Sequence, residues 1–538
     1  MSRTMPHFAA VSSVVAAALF SPLSAPGAES YATGETWFET SIAGHRVGVV
    51  RHTIVSENDT LLVTEVRSDI AVERFGERVE MMQEDAWTET RAGRPIRYVS
   101  ERALSRGEEI ALSVEVGAEA IVVRKATARG ADSWTLPPAE GLVFPRAIAR
   151  LHASRGLVPG DTYAYVTFDP DFEAVSRCSV SVAGPETLPV AGRNVDLILL
   201  HVWPDVYEGL LVREWRDEAG ALWVQEIGGL GVRTARTEGA AALNASALPD
   251  IVSGTMIDVE KSIPRPELAD DVLYEIWLDG GDVADLVGDV ADLVGDVADL
   301  VGDDIRQTVE SRTERGVMLR VRRTVPGDGQ SGLPDDTIGR GRSDEPGDDV
   351  PLPIGGPGGD PDLAEFLEGN LLIQKDDPDV RAAALDAVAG AGPDPWARAV
   401  AIERRVAGLI TDRGLGTAFA SAAEVIDTRA GDCSEHAILA AAMARSVGIP
   451  SRLAMGVVHF QGGFAYHMWV EVRVEGAWYA LDPTMGFGSV DAAHIRLGGS
   501  SLSDGRVAQL SVSVLRTTNR LGLRIVEYEE AGRTHRLE

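Results

Sequence analysis

Hydrophobic positions along this chain change period twice. From about residue 31 to 237 they recur in short alternating runs between turn residues, as in Val47-Gly48-Val49-Val50, Leu61-Leu62-Val63-Thr64, Ala120-Ile121-Val122-Val123 and 195–203. Alternation over a few residues marks a half-buried strand, so this region predicts a largely antiparallel, β-rich domain bounded by 29–255. Within it, 210–215 and 222–227 flank Asp217-Glu218-Ala219-Gly220, the pattern of a hairpin with a Gly-containing loop. A smaller β-like unit follows at 266–326, with Leu273-Tyr274-Glu275-Ile276-Trp277-Leu278 and Val317-Met318-Leu319-Arg320-Val321 as its strands.

Three tandem copies of Asp-Val-Ala-Asp-Leu-Val-Gly interrupt that unit at 282–302. A seven-residue period invites a coiled coil, but each copy carries a glycine and only acidic charges, which repel along a helix. The copies are expected to form a mobile acidic insert, and their spacing fits no calcium loop. The stretch 327–361 is dense in Gly, Pro and Asp and has almost no apolar residues, so it predicts a disordered linker. Helical spacing then begins: Asp394 can cap a helix with Pro395 at its first position, and Ala399, Ile402, Val406 and Leu409 share one face. These patterns bound a catalytic α+β domain at 362–515 and a strand or tail at 516–538.

Composition narrows the functional classes. The 538 residues are 45% hydrophobic, enough for several cores. A formal net charge of -32 disfavours nucleic acid and anionic membrane surfaces as partners, because both would repel the chain. Residues 1–28 read as an export signal, with Arg3, an apolar run at 8–20, and Pro22, Ala25, Gly27 and Ala28 as a small-residue cleavage region. The run is too short to span a bilayer, so the expected mature product is periplasmic or secreted with no integral membrane segment. Its two cysteines, Cys178 and Cys433, fall in different predicted domains and are expected to stay unbridged. Scattered histidines of the β-rich half, among them His45, His152 and His201, read as structural.

The chemistry sits near Cys433. Gly431-Asp432-Cys433-Ser434-Glu435-His436-Ala437 opens an Ala-rich helix that stops at Gly448, with Asp432 as cap and Cys433 in the first turn. There the helix dipole and first-turn N–H groups favour a thiolate and can receive an oxyanion. Farther on, His467-Met468-Trp469-Val470-Glu471-Val472-Arg473-Val474 alternates, with Met468, Val470, Val472 and Val474 toward the core and His467 on the other face. Glu475-Gly476 predicts a two-residue turn into 477–481, ended by Asp482-Pro483. If Val474 pairs with Ala477, His467 and Asp482 become diagonal neighbours on one face, within reach of a carboxylate–imidazole contact. Cys433, His467 and Asp482 then form a nucleophile, a base and the group that orients the base.

Three blocks carry a family likeness: Gly-Asp-Cys-Ser-Glu-His-Ala with Arg445-Ser446-Val447-Gly448-Ile449-Pro450-Ser451-Arg452, then Tyr466-His467-Met468-Trp469-Val470-Glu471-Val472, then Leu481-Asp482-Pro483-Thr484. Over about residues 360–500 the chain resembles the bacterial exported branch of the transglutaminase-like superfamily. That resemblance implies a papain-like core, with the cysteine on a helix and the histidine and aspartate on adjacent strands. It implies amide acyl transfer through a thioacyl-enzyme on a protein or peptide substrate, resolved by water in a protease or amidase or by a lysine amine in a cross-linking enzyme. A non-catalytic scaffold retaining the triad is the third reading.

Asp427 stands six residues before Cys433, where a papain-like site would favour a glutamine donor, and an ionised carboxylate cannot donate. The oxyanion is therefore assigned to backbone donors. His436, three residues from Cys433, is a rival base, or a metal ligand together with Cys433, His467 and Asp482. Tyr466 and Trp469 are candidate substrate-binding wall residues, with core packing the favoured role for Trp469. No nucleotide or redox cofactor motif is present, and neither a cofactor nor a metal is expected.

Overall fold

The computed structural model describes residues 34–55, 60–74, 77–104, 109–207, 210–227, 231–239, 248–250, 253–279, 297–327, 361–413, 420–503 and 508–537. The expected signal segment, the first two acidic repeats and nearly all of the expected linker lie outside them. The described chain divides into two compact units between Gly254 and Thr255.

The first unit is one antiparallel sheet of 14 strands. From its edge at Gly130–Leu136 it steps back through successive sequence neighbours to Gly34–Ile42, crosses to Val232–Thr237, and steps back again to Thr162–Asp169. Nearly all pairings are thus local hairpins, and the long-range closure is Trp37 opposite Thr237 through Ile42 opposite Val232. The hairpin expected around Asp217 forms, with Val212 opposite Ile227 and Asp217 Oδ1 accepting the Ala221 N–H at 2.9 Å. Helix Pro145–Arg155 brings Phe144 against Trp87, whose ring also lies 4.1 Å from that of Tyr98. Cys178 is buried in this unit, and burial pushes its thiol up to about 12. No disulfide joins it to Cys433.

The second unit holds Cys433, His467 and Asp482. Four of its helices are α1 (Pro378–Val388), α2 (Pro395–Leu409), α3 (Ala422–Thr428) and α4 (Cys433–Ser446). They accompany a sheet of β1 (Ser451–Phe460), β2 (Gly463–Val474), β3 (Ala477–Leu481) and β4 (His494–Ser500), in spatial order β3-β2-β1-β4. Asp394 caps α2 as expected, its carboxylate accepting from Trp396 and Ala397. Ala399, Ile402 and Val406 are buried, while Leu409 is only partly so and Glu403 takes a buried place beside them. Helix α4 is buried from Cys433 to Arg445 and packs against β2, β1 and the other three helices. Its run of alanines suits an all-round buried helix, since small side chains let neighbours approach closely. α5 (Ala508–Thr517) packs against β1 and β4.

Two expectations need correction. The segment 266–326 is not a domain of its own: Ala269–Leu278, Gln307–Arg312 and Val317–Arg322 share a five-stranded sheet with Leu521–Glu530 and Arg533–Arg536, the expected tail. Long-range pairing supplies the missing partner, with Ile276 opposite Leu523. The last acidic repeat is also not wholly a mobile insert. Its Val297–Val301 turn is helical, Val297 and Val301 lie buried, and the Gln307 amide donates to the Val301 carbonyl. Two valines four apart share a helix face, so a tertiary surface can use them. Among the described residues no helix is long and apolar enough to cross a membrane.

At the centre of the four-stranded sheet Gly456 faces His467 across the β1–β2 ladder. A Cβ there would overlap the Ile495 carbonyl oxygen and lie 2.8 Å from Trp469 Cη2. Gly456→Ala is therefore expected to destabilise this unit by about 1–3 kcal/mol, as overpacking does, seen as a lower urea midpoint.

Candidate active site

Cys433 owes its place to local chemistry. Asp432 Oδ1 accepts the Ser434 N–H at 2.8 Å, and Glu435 Oε2 accepts the Asp432 N–H at 2.8 Å, a reciprocal capping box that fixes where α4 begins. Glu435 Oε1 also accepts the Ala420 N–H at 3.0 Å. Gly431 makes this possible: its φ is 152°, and a Cβ would overlap the folded-back Glu435 side chain, whose Cγ would stand 2.6 Å away. Cys433 is thereby set at the first helical position and is fully buried. The Ser434 N–H is committed to the cap, so it is not available to an oxyanion.

His467 and Asp482 meet as the sequence register requires. Val474 pairs with Ala477 and Val470 with Leu481, which puts Asp482 one step beyond the β2–β3 ladder. His467 Nε2 lies 2.9 Å from Asp482 Oδ2, and both side chains are buried. Asp482 Oδ1 accepts the Thr484 N–H at 2.9 Å. Burial alone would raise this carboxyl, yet the neighbouring His467 and His494 hold it well below the usual carboxylate range. With Nε2 turned to Asp482, Nδ1 is the ring nitrogen on the side away from that carboxylate. Helix α4, which begins at Cys433, packs against the strand that carries His467.

Other candidates resolve differently. His436 Nδ1 lies 2.6 Å from its own helix's Asp432 carbonyl, and burial lowers its pKa to about 4, so it is a neutral, structural imidazole. Asp427 is exposed on α3, away from any oxyanion role. Tyr466 is fully buried with its hydroxyl donating to Thr517 Oγ1 at 3.0 Å on α5, on the opposite strand face from His467. Trp469 is also fully buried, packed with Ala454, Ala480 and Val490. Both are interior residues, as Cys433 and His467 are.

Sequence reading missed His494. Its Nδ1 lies 2.8 Å from Asp491 Oδ1 and its Nε2 3.4 Å from the same Asp482 Oδ2 that His467 uses. Burial would lower its pKa, but Asp491 and Asp482 overcome this and raise it to about 9. His467, Asp482 and His494 are the compact group of imidazole and carboxylate donors among the described residues, within 4.8 Å of one another. Both imidazoles reach one carboxylate oxygen, so the group is a hydrogen-bonded chain in its own right. No spacing signal marks His494, because β4 joins the sheet beside β1, with Val458 opposite His494, and not beside β3.

Around the Asp482 turn, Glu403 Oε1 accepts the Gly488 N–H at 3.1 Å, and Arg413 donates to the Thr484 carbonyl at 3.1 Å and the Ala407 carbonyl at 3.2 Å. Burial, with Asp482 adding a like charge, raises Glu403 to about 8.

Residues 382–483 match the model of the Transglutaminase-like superfamily, so this segment is a transglutaminase-like domain containing Cys433, His467 and Asp482. No curated protein matches the chain. Among solved structures, a β-barrel-like protein of a domain of unknown function from Brucella abortus covers 38% of this chain and 94% of its own, at 11% identity and TM-score 0.31. A candidate cysteine protease from Cytophaga hutchinsonii covers 50% of this chain and 86% of its own, at 13% identity and TM-score 0.28. A candidate protease from Parabacteroides distasonis covers 70% and 64%, at 12% identity and TM-score 0.16. These three likenesses are too slight to bear on function.

Glu403 generates a pH prediction. Its folded pKa of about 8 exceeds the ordinary 4.5, so the folded state holds a proton that the unfolded state has lost between those values. Its contribution is complete below pH 4.5 and falls as pH rises to about 8. Glu403→Gln should flatten the decline of unfolding free energy across that window, measured by urea titration at several pH values.

Proposed function

We propose that this protein is an exported cysteine-dependent acyltransferase that hydrolyses amide bonds in a protein or peptide substrate. The observation that carries the reading is the buried His467–Asp482 hydrogen bond of 2.9 Å, inside a transglutaminase-like domain whose central helix begins at Cys433.

In this mechanism His467 Nδ1 takes the Cys433 thiol proton, and the positive end of α4 favours the resulting thiolate. The sulfur attacks the amide carbonyl carbon, forming a C–S bond and an oxyanion. As the oxyanion collapses, the C–N bond breaks and His467 returns its proton to the leaving amine, giving a thioester. Water, deprotonated by His467, then attacks the thioester, releasing the carboxylic acid and restoring the thiol. Asp482 holds the imidazole in the tautomer with Nε2–H and stabilises its cation throughout. Hydrolysis is preferred to lysine cross-linking on the resemblance to exported bacterial members.

Full burial of Cys433 and His467 favours a second reading, a binding protein whose triad is closed. Alkylation by iodoacetamide across pH, in a Cys178→Ser background, separates the two. The enzyme reading expects a thiol titrating well below the ~8.5 of a free cysteine, with His467→Ala abolishing the shift and His436→Gln leaving it largely intact. An inert thiol indifferent to His467 would favour the binding reading. On a peptide library followed by mass spectrometry, Cys433→Ala or His467→Ala should lower cleavage about a thousandfold or more, and incorporation of an added amine in place of cleavage would point to cross-linking.

A further inference from the structure

We propose that His494 is a positioning residue of this site: as an imidazolium clamped between Asp491 and Asp482, it fixes the carboxylate that orients His467. The inference rests on the catalytic reading above and adds to it a residue outside the three motif blocks.

The geometry dictates the charge. Asp491 Oδ1 stands 2.8 Å from Nδ1 and Asp482 Oδ2 stands 3.4 Å from Nε2, so both ring nitrogens face carboxylates. An ionised carboxylate only accepts, and a neutral imidazole has a single N–H; only the cation can donate to both. A rise of its pKa to about 9 agrees with this arrangement.

The clamp is held from several elements. Asp491 Oδ1 also accepts the Ala493 N–H at 2.9 Å, and the Arg306 guanidinium donates to the Asp491 carbonyl at 2.8 Å and the His494 carbonyl at 3.4 Å. The indole of Trp469 meets the His494 ring edge-on, centroids 5.5 Å apart at 89°. The charged and titratable groups facing His494 are Asp491 before β4, Asp482 after β3, His467 on β2 with ring centroids 6.0 Å away, and Arg306, just before the strand Gln307–Arg312.

Asp482 then has no free rotation. Thr484 N–H holds Oδ1, while His467 and His494 share Oδ2. Holding the Asp482 carboxylate in turn holds the His467 ring against which the thiolate is stabilised, so loss of the clamp weakens the thiol–imidazole pair and raises the pH at which the thiol ionises.

The test follows Cys433 alkylation by iodoacetamide against pH in the Cys178→Ser background, comparing His494→Gln and Asp491→Asn with the parent, with histidine side-chain NMR on the same proteins. In the parent, the His494 ring should remain cationic to about pH 9. His494→Gln should lower the plateau rate about 10- to 100-fold through misplacement of His467 and move the titration midpoint upward. Asp491→Asn keeps the ring and nearly the same volume, and should move the same midpoint upward while His494 titrates at lower pH. A merely structural role would lower the melting temperature yet leave the midpoint of the folded protein in place, and that result overturns the proposal. Should His494→Gln fail to fold, the Asp491→Asn profile decides alone. A parent thiol showing no His467 dependence sinks the catalytic reading itself, and this inference with it, whereas His467 dependence without a His494 or Asp491 effect sinks this inference only.

Discussion

A carboxylate removed from water must be satisfied by what the chain brings to it, and Asp482 is the place where this constraint organises the second unit. It is 3% exposed, and its two oxygens accept from a backbone N–H and two imidazoles that arrive from β2 and β4. Removing one partner of such a buried charge typically costs several kcal/mol, because the charge left behind has nothing to replace it. The turn after Asp482 is held in its own right, by Glu403 from α2 and by Arg413. Position, ionisation and hydrogen bonding of this one group are therefore settled together.

The same logic extends along β2. Glu471, two strand repeats beyond His467 on the same face, is buried with Arg452 at 2.6 Å and Arg496 at 3.4 Å, and these cations pull its pKa down against the effect of burial. Arg452 also stacks over the Trp478 ring at 4.4 Å. Alternation had suggested a strand with one apolar face toward the core, but β2 is buried on both faces. The polar face can be interior because its buried ionisable groups, His467 and Glu471, each have a charged partner, the condition under which burial of ions is tolerated.

The β-rich unit uses a different balance. Its buried carboxylates Asp171 and Glu173 pair with Arg102 and Lys125, both at 2.7 Å. His52 is fully buried, and burial lowers its pKa to about 3, so it is a neutral core residue; His152 contacts the Tyr163 hydroxyl and is likewise depressed by burial. The histidines read as structural in that half of the sequence include His152, and its surroundings agree.

Much of the site was legible in the sequence because its determinants are local. A glycine two positions before the cysteine, an aspartate cap and a glutamate three residues on specify the start of a helix through contacts spanning four residues. A two-residue turn fixes the β2–β3 register, and with it the His467–Asp482 contact. Helix α2 was legible through Asp394-Pro395 and its apolar spacing. What sequence could not convey was which distant segments close on these elements. The β4 strand returns beside β1, so His494 and Asp491 reach Asp482 only through a long-range pairing. The tail at 521–536 completes a sheet begun at Ala269, and Val297 and Val301 find a surface that their repeat alone does not announce. Tyr466 and Trp469 lie in the interior, which alternation does not tell, because it gives the face a side chain takes and not whether that face is covered. Local hydrogen bonding and short-range register are written in the order of residues; burial and the sharing of one carboxylate by two histidines depend on packing between segments far apart in the chain, which only the tertiary structure decides.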